Sequence, residues 1–256
     1  MNRTGLSIAL TVAALVGVVF GVISQFDVDL SAFFFDSNIH MFRGNAQPWV
    51  QHSRDAARLL ITLIAAPALF AILGKLVLPQ RRMLIAGRAA LFLLSTLVLG
   101  PGILAHTILK DHWGRARPLD IVAFGGGDHF TPWWDPRGPC PKDCSFIAGE
   151  PSGAFWTLAP AALAPPQWRP LAYGAALAFG AAVGVLRIAA GAHFFTDVVF
   201  AGVFMFVLAW TLHGLFYRWR PTRVTDEATE RALARSGERL RDALARRIFR
   251  RPGRRL

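Results

Sequence analysis

The chain is short of charge. Only 17% of its 256 residues are Asp, Glu, Lys or Arg, whereas 54% are hydrophobic. A water-soluble domain carries about 25% charge, and mean hydropathy here is +0.39. The deficit excludes an ordinary soluble globule, and an aromatic content of 12% excludes a disordered chain. Cysteine is scarce too: Cys140 and Cys144 cannot build a four-cysteine zinc site. In one short loop they can form a disulfide if that loop lies outside the cytosol; two free thiols are the alternative. Interleaved aromatic or groove-reading motifs are absent, so nucleic acid is not an expected partner. Nothing resembles the carboxylate or histidine clusters that hold paired metals, and adjacent Asp111 and His112 would not face one site on a helix. Neither a metal nor a cofactor is expected. No internal repeat or low-complexity segment is visible.

What is present is a series of apolar runs. A spanning helix needs about twenty mostly apolar residues. Five runs qualify: Leu6 to Phe26, Ala56 to Leu78, Met83 to Leu109, Pro170 to Leu186 and Thr196 to Trp219. The first is longer than a signal-peptide core and lacks a clear cleavage site, so it is expected to be retained. Arg58 and Lys75 lie where long side chains can snorkel. Gly100-Pro101-Gly102 should kink or loosen its helix. Ser152 to Ala164, extended to Trp168, is a weaker sixth span interrupted by Pro160, Pro165 and Pro166, but strict alternation requires it. The expected fold is all-α: a bundle of six transmembrane helices in residues 1–219, then a basic cytoplasmic tail in residues 220–256.

Loop charge sets the orientation. Gln80-Arg81-Arg82, Trp168-Arg169 and the tail share one side if the spans alternate. The positive-inside rule makes that side cytoplasmic, leaving Asp27 to Asp55, Lys110 to Pro151 and Arg187 to Phe195 outside. From Arg220 onward, twelve arginines face five acids, a balance suited to the anionic inner leaflet. Leu233, Leu240, Leu244 and Ile248 make one helical stripe, expected to lie on that leaflet as an amphipathic helix. A frayed, solvated tail is the alternative.

Ionisable groups gather at the outward ends of the spans, where they are expensive and point to a site. Lys110 and Arg117 close the third span, Arg187 ends the fifth, and His193 and Asp197 precede and open the sixth. Lysine and two guanidinium groups make a bowl for phosphate oxygens, and a phosphoryl transition state spreads charge that such a bowl stabilises. His193 and Asp197, spaced i,i+4, should share a helix face. A carboxylate on one ring nitrogen leaves the other free to attack. Taken singly, Lys110 and Arg115 could be interfacial anchors, Arg187 could snorkel, and His193 could be a satisfied interface histidine.

The joint pattern Lys110-x6-Arg117-Pro118 with Arg187-x5-His193-x3-Asp197 resembles the first and third signatures of the type 2 phosphatidic acid phosphatase family. The resemblance spans roughly half the chain. It implies a six-helix membrane phosphatase in which Lys110, Arg117 and Arg187 bind phosphate, His193 is the nucleophile and Asp197 orients it. Leu186 stands where the family usually has Ser.

The second family signature, Pro-Ser-Gly-His, is missing. In one register Pro151-Ser152-Gly153-Ala154 matches and Ala154 replaces the histidine. In the other, Ser145-Phe146 aligns with the Ser-Phe common before the motif. Ile147-Ala148-Gly149-Glu150 then stands in for it, with Gly149 beside phosphate and Glu150 as proton donor. The second register is preferred, because alanine cannot do acid work; Ser152 belongs to the first. Cys140-Pro-Lys-Asp-Cys144-Ser-Phe and the acid in place of histidine are similar to a bacterial branch that includes lipid A phosphatases. The implied substrate is a lipid phosphate at the periplasmic face of the bacterial inner membrane. Lipid A heads a range that includes undecaprenyl diphosphate, phosphatidylglycerol phosphate and phosphatidic acid. Phosphoryl transfer to another lipid and non-catalytic phospholipid binding on a decayed site are the alternatives. The sequence does not fix oligomeric state.

Overall fold

A computed structural model describes residues 1–45, 47–222 and 224–249. Among the described residues the chain is a helical membrane bundle with a single short hairpin, Phe35–Asp36 against Met41–Phe42. Five helices are long and apolar enough to cross a bilayer.

The first, α1 (Arg3–Val22), starts on Asn2, whose Oδ1 accepts from the Gly5 amide at 2.9 Å. It stops before Phe26, the expected end. A separate helix, α2 (Gln25–Ala32), follows and carries Asp27 into a buried position. Next, α3 (Pro48–Val77) begins eight residues earlier than its apolar run implied. Pro48 occupies a first-turn position, where its fixed φ favours the helix and its missing N–H is no loss. Thirty residues at 1.5 Å each exceed a hydrocarbon core of about 30 Å. The extra turns place Arg54 and Arg58 on the helix at one end of the bundle.

The third spanning element is α4 (Gly87–Leu97), which continues without a break into a π-wound stretch, Val98–Lys110. Pro101 lies inside that stretch. Proline has no N–H and crowds the carbonyl four residues back, and π-winding is one way a helix absorbs such a disruption. The loosening expected at Gly100-Pro101-Gly102 therefore takes the form of a wider helix.

The fourth expected span is the main correction. Residues 149–163 form two short helices, α5 (Gly149–Phe155) and α6 (Leu158–Leu163), in place of one continuous rod. Both are enclosed by their neighbours: Ala154, Phe155, Trp156, Leu158 and Ala159 are buried. Packing inside protein frees a segment from the length requirement of a lipid-facing helix. Phe155 fits against Gly180 of α7 (Arg169–Ala189), and Trp156 Nε1 donates to Thr96 Oγ1 at 2.9 Å. The last spanning element is α8 (Phe195–His213), prolonged by a π turn through Arg218.

The tail forms α9 (Asp226–Phe249), which packs along α3 and α4. Lys75 pairs with Glu230 and Arg88 with Asp226, both at 3.6 Å, and Arg241 Nη2 donates to the Val77 carbonyl at 3.0 Å. Lys75 also donates to the Arg81 carbonyl, so it is tied to the tail and does not snorkel. Of the expected stripe, Leu233 is half-buried and Leu240 and Leu244 are exposed. The Ile248 side chain lies outside the described residues, as do residue 223 and residues 250–256 of the tail.

Candidate active site

The start of α3, the end of the π-wound stretch, the start of α5, the end of α7 and the start of α8 meet at the end of the bundle opposite α9. Lys110 is the last residue of its helix and is 6% exposed. Its Nζ donates to Asp143 Oδ1 at 2.5 Å, and Arg117 Nη2 donates to Asp143 Oδ2 at 2.6 Å. One carboxylate thus bridges two of the three expected phosphate-binding cations. Asp143 sits in the loop closed by the Cys140–Cys144 disulfide, whose Cα atoms are 5.7 Å apart. Partial burial pushes the Asp143 carboxyl up, but Lys110 and Arg117 outweigh it and hold the group below its ordinary range.

Arg187, the third cation, is 8% exposed. Its Nε stands 3.4 Å from Glu150 Oε2 yet makes no hydrogen bond there. Glu150 is instead gripped by α3. Arg54 reaches it with Nε at 3.0 Å and Nη2 at 2.7 Å, and Arg58 Nη2 at 2.5 Å. Arg58 therefore turns to the site and does not snorkel. Burial alone would raise the Glu150 pKa; the Arg54, Arg187 and Arg58 guanidinium groups override it and hold the carboxyl at about 2. Such a carboxylate is ionised at neutral pH and carries no proton to give. This arrangement favours an anchoring role over the proton-donating one expected from the sequence.

His193 is 2% exposed and lies in the turn before α8. Its Nδ1 faces the Ser145 carbonyl at 2.8 Å. A carbonyl only accepts, so Nδ1 carries the hydrogen and Nε2 keeps its lone pair. Burial first, then Arg187, Lys110 and Arg117, holds the imidazole pKa well below its ordinary value. The ring is therefore neutral, the form that can attack phosphorus.

Asp197 does not touch His193 as the i,i+4 spacing implied. Its Oδ2 is 3.9 Å from Nδ1. The spacing rule fails because His193 precedes the helix, while Asp197 occupies its first turn and accepts from the Phe194 amide at 2.8 Å. Asp197 also accepts from Ser145 Oγ and from Arg115 Nη1, both at 2.5 Å. Ser145 thus gives its hydroxyl to Asp197 and its carbonyl to His193.

Arg115 is fully buried. Its Nη2 donates to Asp27 Oδ2 at 2.8 Å, Nη1 to Thr196 Oγ1 at 2.8 Å and Nε to the Thr131 carbonyl at 3.0 Å. An anchor at the lipid interface would be open to it; this guanidinium joins two acids inside the protein. Nothing in the spacing announced Asp27 or Ser145 as its associates.

For the second motif, the structure brings Gly149 and Glu150 to the cations. A Cβ on Gly149 would stand 3.0 Å from His106 Cε1, 3.1 Å from His106 Nε2 and 3.4 Å from Lys110 Cδ. Ser152 turns its hydroxyl to the Ala148 carbonyl at 2.8 Å and does not face the bowl. Ala154 is buried against Ala57 and Val183. Beside Glu150 opens a cavity of about 390 Å³. Arg54, Arg58 and His106 form polar parts of its wall; Ile61, Leu97 and Val183 are apolar parts. Among the described residues no three His, Cys, Asp or Glu side chains converge as metal ligands would.

A family model described as the PAP2 superfamily matches residues 88–224. The chain is 31% identical over 220 residues to a lipid A 4'-phosphatase of Francisella tularensis subsp. novicida (strain U112), an alignment covering 85% of this chain and 98% of the relative. A lipid A 4'-phosphatase of Rhizobium leguminosarum is 36% identical over 106 residues, 41% of this chain and 46% of the relative. One from Rhizobium etli is 35% identical over 105 residues, 41% of each chain. No solved structure matches the chain.

Proposed function

The chain belongs to the PAP2 superfamily, and from that membership we propose that it removes a phosphate monoester from a lipid, the 4'-phosphate of lipid A, through a phosphohistidine at His193. The protein is a membrane phosphatase, a phosphoric ester hydrolase. The observation that carries the mechanism is the His193 ring, buried and held with Nδ1 on the Ser145 carbonyl.

In this reading Lys110, Arg117 and Arg187 receive the phosphate oxygens. Asp143 swings away from Lys110 and Arg117 as the substrate enters, because one anion replaces another on the same donors. Nε2 attacks phosphorus in line with the leaving sugar oxygen, and the cations stabilise the equatorial charge as it spreads. Water then cleaves the phosphorus–nitrogen bond. Asp197 acts through Ser145 to keep the ring in place, and Glu150 fixes Arg187 against Arg54 and Arg58. Gly149 lines the seat, with Ser152 behind it holding the turn of α5. The lipid A assignment comes from the relatives' names; the alternatives are the other lipid phosphates considered above.

We place this end of the bundle at the periplasmic face of the inner membrane and both termini in the cytoplasm, with the exposed Leu240 and Leu244 of α9 resting on anionic inner-leaflet lipids. In intact spheroplasts, a membrane-impermeant thiol reagent should label Cys140 and Cys144 only after reduction. Labelling only after lysis would reverse the orientation.

The functional test is phosphate release by purified protein from a panel of lipid A, undecaprenyl diphosphate, phosphatidylglycerol phosphate and phosphatidic acid, with His193→Ala as the blank. Lipid A should lose its 4'-phosphate fastest, and acid-labile, base-stable phosphate should be trapped on the protein but not on the variant. Full activity in His193→Ala would end the mechanism, and preference for another lipid would reassign the substrate.

A further inference from the structure

The phosphohistidine reading leaves one role open. The family's second signature supplies a histidine to protonate the leaving oxygen, and this chain has none there. Glu150 occupies the place but is clamped by Arg54 and Arg58, with Arg187 alongside. Both of its oxygens accept from guanidinium groups, so neither is placed to pass a proton on. Yet the leaving group of a sugar phosphate is an alkoxide and needs a proton.

A second imidazole stands beside that position. His106 lies four residues before Lys110, one helical turn back on the same face. It packs on Gly149, the residue next to Glu150, so closely that a Cβ there would come within 3.1 Å of its Nε2. The same Cβ would lie 3.4 Å from Cδ of the Lys110 stem. Gly149 in turn follows Ala148, whose amide reaches the Asp197 carbonyl at 3.3 Å. The imidazole forms part of the cavity wall with Arg54, Arg58 and Glu150. It makes no hydrogen bond or ion pair among the described residues, unlike Lys110, Arg117 and Glu150.

We infer that His106 takes the place of the missing motif histidine and is the catalytic proton donor for the leaving oxygen. The inference rests on the phosphohistidine reading. In the first step His106 has taken up the proton that the phosphate monoanion brings in, His193 Nε2 bonds to phosphorus, the phosphorus–oxygen bond breaks, and that proton passes to the departing alkoxide. In the second, neutral His106 takes a proton from the attacking water as the phosphorus–nitrogen bond breaks. Inorganic phosphate leaves and both histidines return to their starting states. The charged groups facing His106 are Lys110 and Asp111 from its own helix, Glu150 from α5 and Asp143 from the disulfide loop, with Arg54 and Arg58 of α3 around the shared cavity. Gly149 is required for the approach: a larger residue would push the ring off the seat.

The test compares His106→Gln, Gly149→Ala, Glu150→Gln and His193→Ala in the full-length protein in detergent. The substrates are a short-chain alkyl lipid phosphate and nitrophenyl phosphate. His106→Gln should slow the alkyl ester by about 10²–10⁴, the usual worth of general acid catalysis. It should slow the aryl ester, whose leaving group needs no proton, far less, and should erase the basic limb of the alkyl pH–rate profile. Gly149→Ala should show the same selectivity in weaker form. Equal losses on both esters, an unchanged pH profile, or the selective loss appearing in Glu150→Gln alone would overturn the inference. Activity surviving in His193→Ala would instead remove the reading beneath it, whatever His106→Gln does.

Discussion

Ser145 stands between Asp197 and His193. Its hydroxyl donates to the Asp197 carboxylate at 2.5 Å, and its carbonyl faces His193 Nδ1 at 2.8 Å. The carboxylate and the ring, 3.9 Å apart at their nearest polar atoms, are therefore coupled through one residue's side chain and main chain. Asp197→Asn should lower kcat by about 10²–10³ while KM changes little, because the ring loses its alignment and the phosphate seat does not. Ser145→Ala cuts that link and should also lower kcat, by a smaller factor because Asp197 keeps its bonds to Arg115 and the Phe194 amide and the carbonyl still meets the ring. An unchanged kcat in Ser145→Ala would show that the carboxylate does not act through the hydroxyl.

Asp143 pairs with Lys110 and Arg117, so on the proposed mechanism it competes with the substrate phosphate. Its side chain is 65% exposed, so solvent screens the pairing and the competition is modest. Asp143→Asn should lower KM and tighten vanadate inhibition by about three- to tenfold, equivalent to roughly 0.7–1.4 kcal/mol. Weaker vanadate binding in that variant would show that the carboxylate assists binding.

Breaking the Asp27–Arg115–Asp197 cluster should be severe. Removing one partner of a buried ion pair leaves a charge without compensation and costs about 3–5 kcal/mol. Arg115→Met should therefore lower thermal stability sharply at pH 7, and Asp27→Asn less so because its hydrogen bonds partly survive. The melting temperature in detergent measures both; a surface-like change of a degree or two for Arg115→Met would contradict the burial.

The Glu150 carboxyl is depressed from 4.5 to about 2. A group bound more weakly by protons when folded stabilises the fold above its unfolded pKa, and that stability fades as pH falls from about 4.5 towards 2. At pH 7, Glu150→Gln should lower the melting temperature; the gap between variant and native protein should close as the pH approaches 2–3. A gap independent of pH would mean that shape, not charge, holds Arg54 and Arg58.

Several features of this site could be read in advance because they are local. Lys110, Arg117, Arg187 and His193 each end or follow an apolar run, and the run itself places them at the bundle's end. Partners that are distant in sequence left no such trace. Arg54 and Arg58 looked like ordinary residues near the start of a span, since nothing in their neighbourhood mentions a glutamate more than ninety positions away. The i,i+4 spacing of His193 and Asp197 misleads for a different reason: the helix starts between them. The segment at residues 149–163 read poorly because protein and not lipid surrounds it, and protein tolerates short, broken helices.

The cluster around Asp27 also fixes an order of events during synthesis. Asp27 leaves the ribosome with the first span. Arg115, its guanidinium partner, is 88 residues away, and Thr196, which donates to it through both amide and hydroxyl, is 169 away. Until α8 is made, this acid lacks Thr196, and Arg115 lacks both Thr196 and Asp197. A chain cut anywhere before α8 cannot close the cluster, and the imidazole, its carbonyl rest and the cation bowl reach one another only on completion. The arrangement proposed for hydrolysis is thus complete only once α8 is in place.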